Sequence, residues 1–288
     1  MIQKRTPLYM LLPVLVLMVI FLLVPICKGI VMTLESTSLS GETSFVGFRN
    51  FIGLFTEGDR MRMNLSITLK YVVADIVLTI PVAYLVALLV VRKGKMAKFF
   101  RSLYLIPWIS APVVSTLMVR SMLDSEIGII HIMVRHIVGH DVLILNNSTL
   151  ALLVLILHSF WRSYPFIMLF LSAGMSTIPN EYYEAAHIDG ANKRDCFFRI
   201  TLPLTANQLC IGILMVTIWT IQDSESIFAL TKGGPGNSTE TLAVRLFKSS
   251  FVNFDLNQGA VIGFILVVIT LLFMFLYVKV LLRGDLYE

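Results

Sequence analysis

Charge is what this sequence has least of. Only 14% of its 288 residues are Asp, Glu, Lys or Arg, against about a quarter in a soluble globular domain. That deficit excludes an ordinary soluble enzyme core. With 57% hydrophobic residues and a mean hydropathy of +0.82, the chain belongs instead with the polytopic membrane proteins. Cysteine is scarce too. Cys27, Cys196 and Cys210 are odd in number and lack disulfide or metal spacing, so they read as small apolar residues. No G-x-x-x-x-G-K-[ST] is present, which excludes a phosphate-binding loop, and no H-E-x-x-H marks a zinc protease. The start, "MIQKRTPLYMLLPVLVLMVIFLLVPICKGIVMTL", lacks the shorter apolar region and cleavage site of a signal peptide, so it reads as an uncleaved first span. The net charge of +5 does not indicate nucleic acid, because the basic residues cluster beside apolar runs, where membrane orientation accounts for them.

What is abundant is long apolar sequence. A bilayer core of about 30 Å needs about 20 apolar residues in helix. Six windows meet this: 8–33, 67–91, 103–122, 150–174, 206–228 and 258–282. They are too long for barrel strands, and lipid offers no partner for unpaired backbone groups, so the expected fold is an all-α polytopic membrane protein of six transmembrane helices. No repeat or separate soluble domain stands out, and residues 1–288 read as one domain. Lys4 and Arg5 precede the first span, and Arg92, Lys93, Lys95, Lys98 and Arg101 follow the second without any acid. By the positive-inside rule both termini and the loop 175–205 face the cytoplasm, while 34–66, 123–149 and 229–257 face outward. In the first outer loop, Arg49, Arg60 and Arg62 are offset by Glu35, Glu42, Glu57 and Asp59. The outer loops also carry Asn-x-Ser/Thr triplets at Asn64, Asn146, Asn147 and Asn237, and turn material in "KGGPGNST" at 232–239.

The loop 175–205 is too long and too patterned for a link. Pro179 and Asn180 give a helix start with Asn180 as the expected N-cap, and Glu181 and Glu184 suit the positive end of the helix dipole. Tyr182, Ala185, Ala186 and Asp189 follow the i, i+3, i+4, i+7 rule and are expected on one face. Gly190 is placed to end that helix, a second short helix is expected over Lys193–Thr201, and Pro203 suits the start of the fifth span. From the residues alone, docking to a protein, lying on the membrane surface and plain linking all remain open. The first helix has three acids and no Lys or Arg, whereas membrane-surface helices favour a basic polar face.

The spacing here is specific. Glu184-Ala185-Ala186, three residues, Gly190, nine residues, Ile200, one residue and Leu202-Pro203 matches the EAA motif position for position. "IPNEYYEAAHIDGA", "LTKGGPGNSTETL" at 230–242 and "GFRNF" at 47–51 agree, so nearly the whole chain resembles the permease subunits of binding-protein-dependent ABC importers, carbohydrate type, MalF/UgpA-like. The long external insertion of the maltose subunit is absent. The resemblance implies a type I importer permease fold in the cytoplasmic (inner) membrane, with 180–203 forming a coupling helix for the ATPase. On that carry-over Tyr182, Glu184, Ala185, Ala186, Asp189, Gly190, Ile200, Leu202 and Pro203 form the ATPase-coupling set: Glu184 makes polar contact, the alanines allow close packing, and Gly190 supplies the bend. It further implies two ATP-binding subunits carrying ATP and Mg, a second homologous permease in a heterodimeric pore, and an extracytoplasmic solute-binding protein. The chain itself is then a translocation subunit, not an enzyme, with no cofactor of its own.

Ionisable groups at membrane depth are costly and face a bundle interior or water. Asp75 and Arg162 qualify, and Gln222, Asp223 and Glu225 lie toward the outer end of the fifth span. A sugar path wants hydrogen-bonding groups beside aromatic faces, which makes Trp161, Tyr164, Trp219, Gln222 and Asp223 candidates. The competing reading is that each simply bonds a neighbouring helix. Pro81, Pro107, Pro112 and Pro165 lie within the windows and carry no assigned function. His131, His136 and His140 raise a metal reading, but the carboxylates nearby are loosely placed and no metal is expected. His158 has no evident catalytic partner set. An ion-gradient-driven secondary transporter is the alternative function; it would show paired broken helices and internal repeats, and neither is seen.

Overall fold

A computed structural model describes residues 6–38, 41–56, 58–91 and 104–284. Lys4, Arg5, Glu57, Arg92, Lys93, Lys95, Lys98 and Arg101 lie outside the described residues. In chain order the helices are α1 (Thr6–Met18), continued through a π turn (Val19–Leu23) into α2 (Val24–Thr33), then α3 (Arg49–Thr56) and α4 (Gly58–Val90). A two-stranded antiparallel ribbon, β1 (Glu35–Thr37) and β2 (Thr43–Phe45), separates α2 from α3, with Ser36 opposite Ser44. There follow α5 (Ile106–Ile109), α6 (Pro112–Met122), α7 (Ile129–Val138), α8 (Ser148–Ser176), α9 (Asn180–Ile188) and α10 (Lys193–Cys196). A π turn (Phe197–Thr201) leads to α11 (Leu202–Leu204), α12 (Ala206–Gln222), α13 (Glu225–Thr231), α14 (Leu242–Phe247) and α15 (Leu256–Gly284).

Among the described residues four helices are long and apolar enough to cross a bilayer, Leu11–Thr33, α4, α8 and Leu256–Lys279. A fifth crossing forms if Lys193–Leu204 and α12, which meet at 68°, count as one. The expected window 103–122 is interrupted: α5 and α6 are separated by Ser110 and Ala111 with extended backbone (ψ 137° and 133°). Ala111 precedes Pro112, and proline drives the residue before it out of the helical region. Pro81 and Pro165, by contrast, sit inside unbroken helices. The window 206–228 also ends early, at Gln222, because Asp223 leaves the helix (ψ 92°) and its Oδ1 accepts from the Ser226 N–H at 3.0 Å.

The described residues form two compact units, one within 6–63 and 245–268, the other within 64–244 and 269–284. In the first, asparagines close the junction after α2. Asn50 Nδ2 donates to the Thr33 and Glu35 carbonyls at 3.0 and 2.8 Å, and Asn257 Nδ2 to those of Met32 and Glu35 at 3.1 and 2.7 Å. The Thr37 N–H returns a bond to Asn257 Oδ1 at 3.2 Å, and Phe51 packs edge-on against Phe264 of α15 at 5.8 Å. These contacts give "GFRNF" its structural meaning.

In the second unit α4, α8 and α12 share a core. Ala83 and Ala87 of α4 are fully buried against Ile167, Met168 and Leu171 of α8 and Val216 of α12. Small residues let these helices approach: a Cβ at Gly174 would meet Gln208 Cγ at 2.7 Å, and one at Gly212 would meet Ile167 Cγ2 at 3.3 Å. Two glycosylation triplets have structural roles. Asn64 is fully buried with Nδ2 donating to the Glu240 carbonyl at 2.7 Å, and Asn147 caps α8 by accepting from the Thr149 and Leu150 N–H groups.

Candidate functional site

The loop beyond α8 is built as an arm. Its first helix begins one residue earlier than the asparagine cap predicts. Pro179 occupies the cap position (φ −61°, ψ 140°) and Asn180 is already helical, where its side chain cannot reach the following N–H groups. The end is as expected: Gly190 sits at φ +79°, its N–H bonds the His187 carbonyl at 3.1 Å, and the Ala191 N–H bonds that of Ala186 at 2.8 Å. A glycine takes this left-handed turn without the Cβ penalty and satisfies two terminal carbonyls. The second helix starts from an unforeseen capping box. Asn192 Oδ1 accepts from the Arg194 and Asp195 N–H groups at 2.8 and 3.1 Å, and Asp195 Oδ2 accepts from the Asn192 N–H at 3.2 Å.

Side chains tie this arm to the bundle at definite points. Tyr183 OH meets Thr201 Oγ1 at 3.0 Å, Tyr84 OH hydrogen-bonds Thr205 Oγ1, and Phe197 packs edge-on against Tyr84 at 5.4 Å. Leu202 packs on the core shared by α4, α8 and α12, Ile200 is half-buried, and Pro203 is exposed. A cavity of about 720 Å³ lies where α9 leaves the span ends, lined by Leu88, Val91, Met175, Asn180, Tyr183 and Thr201 among others.

No residue of α9 is buried. Tyr183 and Ala186 are half-buried, one turn apart, and mark its inner side. The expected common face of Tyr182, Ala185, Ala186 and Asp189 is therefore divided. The outermost stripe is Glu181, Glu184, Ala185 and Ile188, at i, i+3, i+4, i+7, with Tyr182 and Asp189 exposed beside it. Ile188, missing from the expected set, is 87% exposed. The sequence does carry a signal for it: an isoleucine three residues after Ala185 in a polar segment.

The polar residues at membrane depth form a connected layer. Asp75 of α4 is fully buried, and its carboxylate accepts from Thr79 Oγ1 at 2.8 Å, Ser159 Oγ at 2.7 Å and Thr220 Oγ1 at 2.7 Å. Tyr71, one turn earlier, donates to Asp223 Oδ2 at 3.0 Å. Arg162 Nη1 donates to Ser226 Oγ at 3.5 Å. His158 Nε2 lies 3.1 Å from Ser115 Oγ and 3.3 Å from Thr116 Oγ1. The five candidates for a solute path do not converge. Trp219 belongs to an aromatic run with Phe166 and Trp108, Tyr164 stacks on Phe160, and Trp161 is 41% exposed near His158. Gln222 is exposed at the end of α12, and only Asp223 joins the polar layer. In the segment 123–147, His131 is buried and meets Asp141 at 3.2 Å, while Arg135 Nε reaches the same carboxylate at 3.4 Å. The Glu126 and Ile127 N–H groups hold the Asp124 carboxyl below its usual range.

A bundle of apolar helices with a polar layer inside and an uncovered helical arm outside defines a helical membrane protein. Residues 49–283 match the family described as the binding-protein-dependent transport system inner membrane component, and the chain belongs to that family. It is an ABC transporter permease. The probable ABC transporter permease protein YurN of Bacillus subtilis (strain 168) is 29% identical, the match covering 98% of each chain. UgpA of Rhizobium meliloti (strain 1021), an sn-glycerol-3-phosphate transport system permease protein, is 28% identical over 93% of this chain and 92% of its own. The trehalose/maltose permease protein MalF of Thermococcus litoralis is 27% identical over 94% of this chain and 92% of its own. Among solved structures, a bacterial ABC transporter that imports the acidic polysaccharide alginate superposes with a TM-score of 0.85 at 20% identity, over 98% of this chain and 97% of that one.

Proposed function

We propose that this chain is one half of the transmembrane pore of an ATP-driven carbohydrate importer, with α9 as the coupling helix for a separate ATPase. The observation that carries the reading is α9 itself: rooted in the bundle through Tyr183 and the following turn, yet uncovered along Glu181, Glu184, Ala185 and Ile188. A short rigid helix joined to α8 and α12 turns movement of a docked partner into movement of those spans. The two carboxylates suit cationic groups lining a groove, Ala185 admits close backbone approach, and Ile188 offers an apolar knob.

ATP and Mg belong to the partner, whose closure pulls on the arm; this chain's part is mechanical. A second homologous permease completes the pore, and a solute-binding protein delivers from the opposite side. Basic residues flanking the first and second spans put both termini on the ATPase side. Support for a carbohydrate comes from the sugar and glycerol-phosphate systems named among the relatives, and from Trp161 and Tyr164 on α8.

The test is affinity purification of the chain from its native membrane, comparing wild type with Glu184→Arg and Ile188→Asp. Wild type is expected to bring a P-loop ATPase and a second permease. The variants are expected to keep the permease and lose at least about tenfold of the ATPase, as for loss of an interface anchor. Absence of any ATPase from the wild-type preparation in mild detergents would sink the reading.

A further inference from the structure

Arg162 is the central residue of the 29-residue helix α8, where a charge is most costly to hold in a membrane. Its guanidinium is only partly spent on the protein. Nε is buried with no partner, and Nη1 reaches Ser226 Oγ only at 3.5 Å. Among the described residues no carboxylate lies within 4 Å of it. Four residues earlier, on the same face, His158 is 4% exposed and its Nδ1 is likewise unpartnered.

The acids of the layer are in the opposite condition. Both Asp75 oxygens are taken by the Thr79, Ser159 and Thr220 hydroxyls. Asp223 is close enough to feel the Arg162 charge, but its oxygens are occupied by Tyr71 OH and the Ser226 N–H. Every oxygen of the two acids already holds a donor, therefore, while donor capacity on Arg162 is left over. A buried donor without an acceptor costs free energy that only an incoming acceptor recovers. The planar fork of a guanidinium matches a carboxylate, phosphate or sulfonate in two parallel bonds, which no single sugar hydroxyl can accept. Trp161, adjacent in α8 and 41% exposed, offers a flat face to a pyranose.

We propose that the carried solute is an acidic saccharide or sugar ester, and that Arg162 is the subsite for its anionic group. This rests on the importer reading above. Asp223 then serves to hold the empty guanidinium without capping it.

The experiment uses the complete importer, with its binding protein, in proteoliposomes supplied with a mixture of a neutral disaccharide, the corresponding uronic-acid disaccharide and a sugar phosphate. Mass spectrometry of the lumen reads what has entered with ATP. Wild type is expected to import an anionic member in preference to the neutral one. Arg162→Gln is expected to lose at least about tenfold of that import, the loss of a charge-assisted pair, and Arg162→Lys to retain part of it. Complex recovered per membrane, measured for each variant, separates misfolding from lost recognition. Preferential import of the neutral disaccharide, or equal import of the anion by well-assembled Arg162→Gln, overturns the proposal while leaving the importer standing. ATP-independent entry of every member would overturn the importer reading and the proposal together.

Discussion

Asp75 receives three hydroxyl hydrogens from three different helices, α4, α8 and α12. An acceptor in hydrocarbon depth with that many donors is a fastening point, and its loss strands the Thr79 and Ser159 hydroxyls and leaves that of Thr220 only the Val216 carbonyl. Asp75→Asn turns an NH₂ toward groups that need an acceptor, and Asp75→Leu removes the acceptor altogether. Each is expected to cost about 2–4 kcal/mol, more than one charged hydrogen bond, seen as a lowered midpoint of thermal unfolding in detergent. Thr79→Val is expected to cost about 1 kcal/mol in the same assay; equal losses for the two would show that the carboxylate is not the hub. Part of this hub is legible in sequence, since Tyr71, Asp75 and Thr79 recur at i+4. Ser159 and Thr220 are not, because they stand 84 and 145 residues away and no local pattern marks them. Arg162 is likewise visible as a costly ion, while its lack of partners is not.

At the scale of the element, the lever proposed for α9 would owe its stiffness to few bonds. Tyr183 OH to Thr201 Oγ1 is the cross-brace between its inner side and the turn entering α12. Tyr183→Phe and Thr201→Val each remove it at about 1 kcal/mol, which corresponds to a factor of about five in an equilibrium. ATP hydrolysis by the assembled importer is expected to persist, while solute moved per ATP falls several-fold. A parallel fall in both would place the effect in docking instead. The sequence announces the end of this helix better than its start. Gly190 does what a glycine in that place allows, with φ +79°, whereas the asparagine signal at 180 is overridden by the proline before it. Asn192 gives the same kind of signal and is the residue that caps, because no proline competes for its position. The EAA spacing leaves Ile188 unmarked, yet its helical phase with Glu181 and Glu184 fixes it outward.

For the whole molecule, long apolar runs make the class readable, since a bilayer demands length that no soluble fold requires. The count is less readable: the third window breaks at Ser110–Ala111, a break that Pro112 encodes through its effect on the preceding residue. Asn257 marks another long-range dependence. It holds the backbone around Met32, Glu35 and Thr37 through three bonds from 220 or more residues away. Asn257→Ala is expected to raise amide hydrogen exchange over residues 33–37 at least tenfold, as the Thr37 N–H loses its acceptor and the Met32 and Glu35 carbonyls each lose a donor; unchanged exchange would assign that junction to Asn50 alone.

The same degree of exposure has opposite meaning at two places in this chain. Phe21 in the first span is 75% exposed and Ile188 on the arm 87%. Phe21 faces hydrocarbon, a solvent in which it is already at home. Ile188 faces water, at a penalty of about 1.5–3 kcal/mol for a large aliphatic side chain. Partition between the two phases thus sorts the surfaces of the isolated subunit: along the spans, contact with another helix must be won by shape, while on the reading proposed for α9 a soluble partner would be drawn in by the release of water.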